Sequence, residues 1–142
     1  MKKNLSNYLS LLLIAAIVII LDQLAKAWVK QNLALNEVFR PELALSQFFR
    51  LVHAKNTGAV LGIFQNFNLV FTIIPVVFSA LILFFAPSVP KEEKMIRLAM
   101  GLYLGGAIGN LIDRLTAGYV IDFVSIGTLP IFNIADLSIT VG

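Results

Sequence analysis

Long apolar runs separated by short polar stretches dominate this chain. A helix needs about 20 mainly apolar residues to cross the hydrocarbon of a bilayer. Tyr8–Trp28 meets that length, preceded by Lys2 and Lys3 and closing on Trp28, a residue favoured at the membrane–water interface. Phe67–Ala86 is the second such run and carries Pro75 at its middle, where membrane helices tolerate proline. Ile96–Ile112 is the third, beginning beside Arg97, whose side chain can snorkel to the interface. A fourth run starts near Phe132 and stops at Gly142, too short to cross, so it reads as a span cut within its helix. A cleavable signal peptide is the rival reading of the N-terminus, from Lys2-Lys3, the apolar stretch Leu9 to Leu21, and Ala25-Lys26-Ala27. The later spans already demand membrane insertion, and Asp22, Gln23 and Lys26 continue the helical run, so a span is preferred.

Polar patterning fills in the connections. Val29–Asn66 is the one sizeable polar segment; Leu43–Ala54 alternates in a strand-like way, and Asn56-Thr57-Gly58 reads as a turn. The expectation is one domain over residues 1–142, an all-α membrane protein of four transmembrane helices, the fourth truncated. A small β-rich platform over about 29–66 lies on the membrane surface. Composition sharpens this: 58% of residues are hydrophobic and 13% charged, against roughly 45–50% and about 25% in soluble domains. The net charge of +3 comes from eleven dispersed Lys and Arg residues, without the basic stripe a nucleic-acid binder needs. Cysteine is absent, excluding disulfides, thiolate metal sites and a cysteine nucleophile.

The alternation of spans makes the informative statement. If the N-terminus lies on one side, Asp22, Asn56, Asn110, Asp113, Arg114, Asp122, Asn133 and Asp136 all fall near the opposite membrane face. Every aspartate belongs to this set, while the four glutamates lie in loops. An ionisable group within a membrane helix costs about 2.5–3.5 kcal/mol on insertion scales, so the cluster requires an explanation. Structural pairing explains part of it. Asp22 has Lys26 four residues later, the favourable acid-before-base order on a helix. Asp113 precedes Arg114, a looser pair because adjacent residues do not face each other. Asp122, within Tyr119–Val124, and Asp136, within Phe132–Asp136, have no cation nearby in sequence. Two carboxylates in apolar surroundings, if close, cannot both ionise, which is the arrangement an aspartic peptidase needs. Asp136 also has a structural reading, as the third helical residue after an Asn133 N-cap.

Other chemistries fit poorly. His53 is the sole histidine, so no zinc set of the HExxH kind exists, and it reads as a surface residue at a strand end. Ser125 and Ser138 lack a convincing base. Gly101, Gly105 and Gly109 repeat every fourth residue, a stripe that lets a membrane helix pack closely, with Asn110, Asp113 and Arg114 on a neighbouring face.

Five ordered segments carry a resemblance: Leu21–Lys26 (LDQLAK), Asn56–Ala59 with Gly62, Gly105–Arg114 (GGAIGNLIDR), Val120–Phe123 (VIDF) and Phe132–Asp136 (FNIAD). They resemble the lipoprotein signal peptidase (signal peptidase II) family of bacterial membrane aspartic peptidases, over almost the whole chain. The resemblance implies a multi-pass protein of the bacterial cytoplasmic (inner) membrane, with both ends cytoplasmic and the active site near the extracytoplasmic face. It implies a catalytic dyad of Asp122 and Asp136, with Asn56, Asn110, Arg114 and Asn133 lining the substrate site. Asp22, Lys26, Gly58 and Asp113 take supporting roles. The implied substrate is a prolipoprotein whose cysteine carries diacylglycerol, cut before that cysteine, with the phospholipid bilayer as its setting. Cyclic lipopeptides such as globomycin are the implied inhibitors. Neither metal nor other cofactor is expected. Val60 and Leu61 depart from the family's usual alanine and phenylalanine after the Asn-Thr-Gly-Ala turn.

The chemistry expected is hydrolysis by water, one ionised aspartate taking its proton while the other, protonated, polarises the scissile carbonyl. A small transporter is the rival class, but it predicts polar groups through the full membrane depth, whereas these gather at one end. A non-catalytic assembly factor is a further alternative, separated from an enzyme by a cleavage assay.

Overall fold

The computed structural model describes residues 8–42, 48–58 and 68–142. Three long helices and a small antiparallel sheet make up its frame. Helix α1 spans Leu9–Asn32, α2 Asn68–Phe85 and α3 Lys94–Ala117; strands β1 (Val38–Phe39), β2 (Phe49–Asn56) and β3 (Val120–Ile126) form the sheet; α4 covers Ile134–Val141. The first three helical segments are long and apolar enough to cross a membrane. Helix is forced there, because lipid offers no partner to an open backbone N–H or C=O. At eight residues, α4 rises only about 12 Å. Helices occupy the three long predicted runs with small shifts: 8–28 corresponds to Leu9–Asn32, 67–86 to Asn68–Phe85 and 96–112 to Lys94–Ala117.

The surface is that of a lipid-dissolved protein. Leu9, Leu13, Ile17, Ile20 and Leu24 of α1 and Ile73, Ile74, Val77, Phe78, Leu81 and Phe84 of α2 are all exposed. The buried face of α1 is one stripe, Leu11, Ala15, Val18, Asp22, Lys26 and Val29, at the three- and four-residue spacing of a helix. Its apolar half packs on α3, which has glycines at the contact. A Cβ on Gly101 would stand 2.8 Å from Ile14 Cβ, and one on Gly105 2.7 Å from Val18 Cβ. The glycine stripe is therefore the seam between α1 and α3, as its spacing implied. The adjacent Gly106 serves α4, its absent Cβ leaving room for the Ala135 carbonyl and Ile139.

The sheet runs β1-β2-β3, with Val38 opposite Val52, Ala54 opposite Asp122 and Asn56 opposite Val120, and a register shift between Leu51 and Ala54. One strand comes from outside the predicted platform of 29–66. β3 lies in the connection between α3 and α4, where Val120–Ile126 was not read as a strand. Its pairing with β2 is a long-range contact that local patterning does not signal. Positions 43–47 and 59–66 of the predicted platform, including Val60, Leu61 and Gly62, lie outside the described residues. α3 ends at Gly118, at φ +78°, whose N–H donates to the Arg114 carbonyl at 3.1 Å, a left-handed cap. The chain then reverses into β3. Past β3, Phe132 bonds back to Phe123 and Val124, so α4 starts beside the strand that carries Asp122.

Two expectations need correction. His53 is buried near the middle of β2, with Nδ1 at 2.9 Å from the Leu33 carbonyl; it is no surface residue, because the segment following α1 packs on it, Asn36 and Glu37 bonding its backbone. Arg97 does not snorkel. It is 4% exposed, donating from Nε to Ser10 Oγ at 3.1 Å and from Nη1 to the Ala86 and Val89 carbonyls.

Candidate active site

The end of α1, the last turns of α3, β3 and the first turn of α4 bring the predicted polar set together. Four aspartates meet there in two environments.

Lys26 holds the first pair. Its Nζ lies 2.7 Å from Asp22 Oδ2 and 2.8 Å from Asp113 Oδ2, with all three side chains buried. The same carboxylates are used for assembly: Asp22 Oδ1 accepts the Ala135 N–H at 3.0 Å, and Asp113 Oδ2, the oxygen paired with Lys26, also accepts the Ile121 N–H at 3.1 Å. These carboxylates tie the starts of α4 and β3 to α1 and α3. The expected Asp22–Lys26 pair is present. The expected Asp113–Arg114 pair is not, because Asp113 turns toward α1 while Arg114 points elsewhere. Gln23, not singled out from the sequence, completes this cluster by donating to Asp22 Oδ2, the Gly109 carbonyl and Asp113 Oδ1 at 3.1–3.2 Å. The signal for it existed: an amide in an apolar span needs partners, and Gln23 neighbours both Asp22 and Lys26.

The second pair is held by amides. Asp122, on β3 and 3% exposed, accepts at Oδ1 from Asn133 Nδ2 at 2.7 Å and at Oδ2 from Asn56 Nδ2 at 2.8 Å. Asp136, in the first turn of α4, accepts at Oδ1 from Asn110 Nδ2 at 2.7 Å and at Oδ2 from the Asn133 backbone N–H at 3.2 Å. Asn133 thus bridges the two acids. It caps α4 through Oδ1, which accepts the Asp136 N–H at 2.8 Å, completing a reciprocal capping box. The capping role expected for Asn133 and Asp136 and their place in the acid cluster coexist.

Both sets are linked through Asn110. Its Oδ1 accepts from Lys26 Nζ and from Asn133 Nδ2, each at 3.1 Å. Two donors on the oxygen leave the amide nitrogen to face Asp136. Asn56 is fixed in turn by the predicted turn: its Oδ1 accepts the Gly58 N–H at 2.9 Å, with Gly58 at φ +90°. Arg114 Nη1 donates to the Asn110 carbonyl at 3.4 Å, and its charge is felt by Asp136, Asp113 and Asp122. Among the described residues, neither Asp122 nor Asp136 forms a salt bridge.

Electrostatics follow from this wiring. Burial first, and the Asp136 charge second, push the Asp122 carboxyl up from 3.8 to about 6, against the opposing pull of the Asn56 and Asn133 bonds and Lys26. Asp122 therefore holds a proton at pH values where an ordinary carboxylate has lost it. Beside the pair, a cavity of about 350 Å³ is lined by Leu129, Pro130, Phe132, Leu137 and Thr140 and reaches Asp136. Ser125 accepts from Arg50 Nη2 at 3.2 Å and His53 bonds Leu33, so the two do not form a nucleophile–base pair.

A bundle of membrane-capable helices with one buried and one half-buried acid side by side at one end defines a multi-pass membrane protein with a partly dehydrated site. The family model described as signal peptidase (SPase) II matches residues 14–142, and the chain belongs to that family. It is 39% identical over 131 residues to the lipoprotein signal peptidase of Moorella thermoacetica, covering 92% of this chain and 85% of the relative. The corresponding protein of Shouchella clausii is 38% identical over the same shares. A solved structure described as a bacterial membrane enzyme, determined in meso at 1.9 Å, superposes with a TM-score of 0.81 at 31% identity, covering 92% of this chain and 85% of the other.

Proposed function

We propose that this chain removes signal peptides from prolipoproteins by aspartic catalysis, with Asp122 and Asp136 as the dyad. Family membership gives the protease and its class of substrate; the catalytic type and the residues are our reading. The observation that carries it is the contrast among four clustered acids, three buried and Asp136 half-buried. Asp22 and Asp113 are neutralised by Lys26, whereas Asp122 and Asp136 meet only amides and share Asn133.

In this reading Asp122, the more buried acid, holds the proton and polarises the scissile carbonyl. Asp136 takes a proton from the attacking water. The tetrahedral intermediate collapses as the leaving amine is protonated, the peptide C–N bond breaks, and the dyad is restored. Positioned proton transfer contributes roughly 10²–10⁴-fold, and alignment in a dry site adds to it. Asn110 and Asn133 orient the carboxylates, while Asn56 and Arg114 stand at the rim to receive substrate carbonyls. The cavity beside Asp136 suits an apolar residue or acyl chain. A diacylglyceryl-cysteine would keep the scissile bond at the depth of the dyad, favouring cleavage just before that cysteine. The protein then sits in the bacterial inner membrane with this end outward, and a cyclic lipopeptide such as globomycin would compete for the same acids.

Asp122→Asn and Asp136→Asn, each purified and shown to melt cooperatively, should abolish cleavage of a diacylglyceryl-modified prolipoprotein. Full turnover by either variant rejects the dyad.

A further inference from the structure

A second polar feature lies at the far end of the bundle. Arg97 precedes Asp113 by sixteen residues on α3, placing it about 24 Å from the acid cluster along the helix. There the first turns of α1 and α3, with the segment leading into α3, enclose a cavity of about 440 Å³ lined by Leu9, Ser10, Ile14, Lys91, Lys94 and Arg97. Among the described residues, three of its six lining side chains are cations, one is a hydroxyl and none is an acid. Lys91 and Lys94 are exposed at its mouth, while Arg97 is buried and fixed through Ser10 and the Ala86 and Val89 carbonyls. Glu92 and Glu93 are exposed and do not line it. Glu93 makes no side-chain cap on α3, so the positive end of that helix is not neutralised by a capping carboxylate.

We propose that this cavity binds the head group of an anionic phospholipid in the leaflet opposite the dyad. Charge alone fits any phosphate; the apolar walls select a lipid. Leu9 opens onto Leu13 and Ile17, an exposed stripe at four-residue spacing that runs from the cavity toward mid-membrane. A phosphodiester among Lys91, Lys94 and Arg97 therefore leaves its acyl chains lying along α1. Basic residues near a membrane surface attract anionic lipid by about 1 kcal/mol each, so removing two should weaken binding roughly thirtyfold.

The test uses the full chain in neutral detergent, titrated with phosphatidylglycerol, phosphatidylcholine or glycerol phosphate, and read by thermal stabilisation and by native mass spectrometry of retained lipid. Phosphatidylglycerol should bind and stabilise; phosphatidylcholine and glycerol phosphate should do neither at matched concentration. The Lys91→Gln/Lys94→Gln variant should lose about thirtyfold in apparent affinity while cleaving substrate in detergent at the unaltered rate. Equal binding of the two lipids, undiminished binding by the variant, or glycerol phosphate binding as tightly as lipid would each overturn the proposal.

Discussion

Two pairs of aspartates share one end of the helical bundle and differ in what touches them. Asp22 and Asp113 surround Lys26, and each also accepts a backbone N–H from an element it anchors. Asp122 and Asp136 accept side-chain N–H groups only from asparagines, with one backbone donor at Asp136. A lysine ammonium favours the ionised form of its carboxylate partners, whereas an amide orients a carboxylate and leaves its protonation free to change. The first pair is thereby a fastening, and the second is the pair we propose exchanges protons with the substrate. Burial alone does not distinguish them, since Asp22, Asp113 and Asp122 are all buried.

The comparison breaks most sharply in activity. Asp122→Asn and Asp136→Asn should lose at least about 10³-fold in kcat, the scale of positioned proton transfer, with melting cooperative. Asp22→Asn and Asp113→Asn should lose stability first and activity only as far as folding fails. Cleavage rates and melting curves measured side by side separate the two groups, and activity of a folded Asp122→Asn would erase the distinction.

Lys26→Met attacks the fastening from its centre. Two buried carboxylates are left without their cation, which costs about 3–5 kcal/mol when one partner of a buried pair is removed. Asn110 also loses one of the two donors that hold its oxygen away from Asp136. Denaturation of the variant should show the large loss, and its residual cleavage should fall further than its folded fraction.

A third test uses pH. The Asp122 carboxyl rises from 3.8 to about 6 on folding, so the folded chain holds this proton more tightly than the unfolded one. That stabilisation is full below the unfolded value and is lost as pH climbs through the folded one. The expected loss between about pH 4 and 6.5 is roughly 3 kcal/mol at most. Asp122→Asn should flatten that part of the stability profile. For the wild type, kcat/KM should decline as pH rises past about 6, because it reports the free enzyme. A wild-type profile identical to that of Asp122→Asn would remove the protonated acid from the site.

Much of this was legible in the residues, for reasons that differ by element. The spans follow from length and hydropathy. The glycine seam was visible because Gly101, Gly105 and Gly109 fall on one helical face, and the Asp22–Lys26 pair because four residues make one turn. The gathering of the aspartates followed from counting crossings. Hidden were the contacts made across distant sequence. β3 pairs with β2 through residues some seventy positions apart, and neither strand announces its partner. Asp113 reaches Lys26 across the helix seam, where nearness in sequence favoured Arg114. His53 reads as a surface residue at a strand end and Arg97 as a snorkelling cation, yet each is buried with its side chain on backbone carbonyls that no side-chain pattern reveals.

The smallest effects compare two glycines near the site. Gly118 stands at φ +78° with nothing within 4 Å of where a Cβ would be, so Gly118→Ala costs only backbone strain, about 1–2 kcal/mol. Gly106 has ordinary helical geometry but is pressed against the Ala135 carbonyl and Ile139, so Gly106→Ala must push α4 outward, at about 1–3 kcal/mol. The two melting temperatures should thus fall by comparable amounts. Activity should not, because α4 carries Asp136 and its Asn133 cap, whereas the Gly118 turn only leads into β3. At a temperature where both variants remain folded, Gly106→Ala should cleave more slowly than Gly118→Ala. Equal rates would show that the dyad tolerates movement of α4, and that the fastening around Lys26 holds the site more loosely than its bonds indicate.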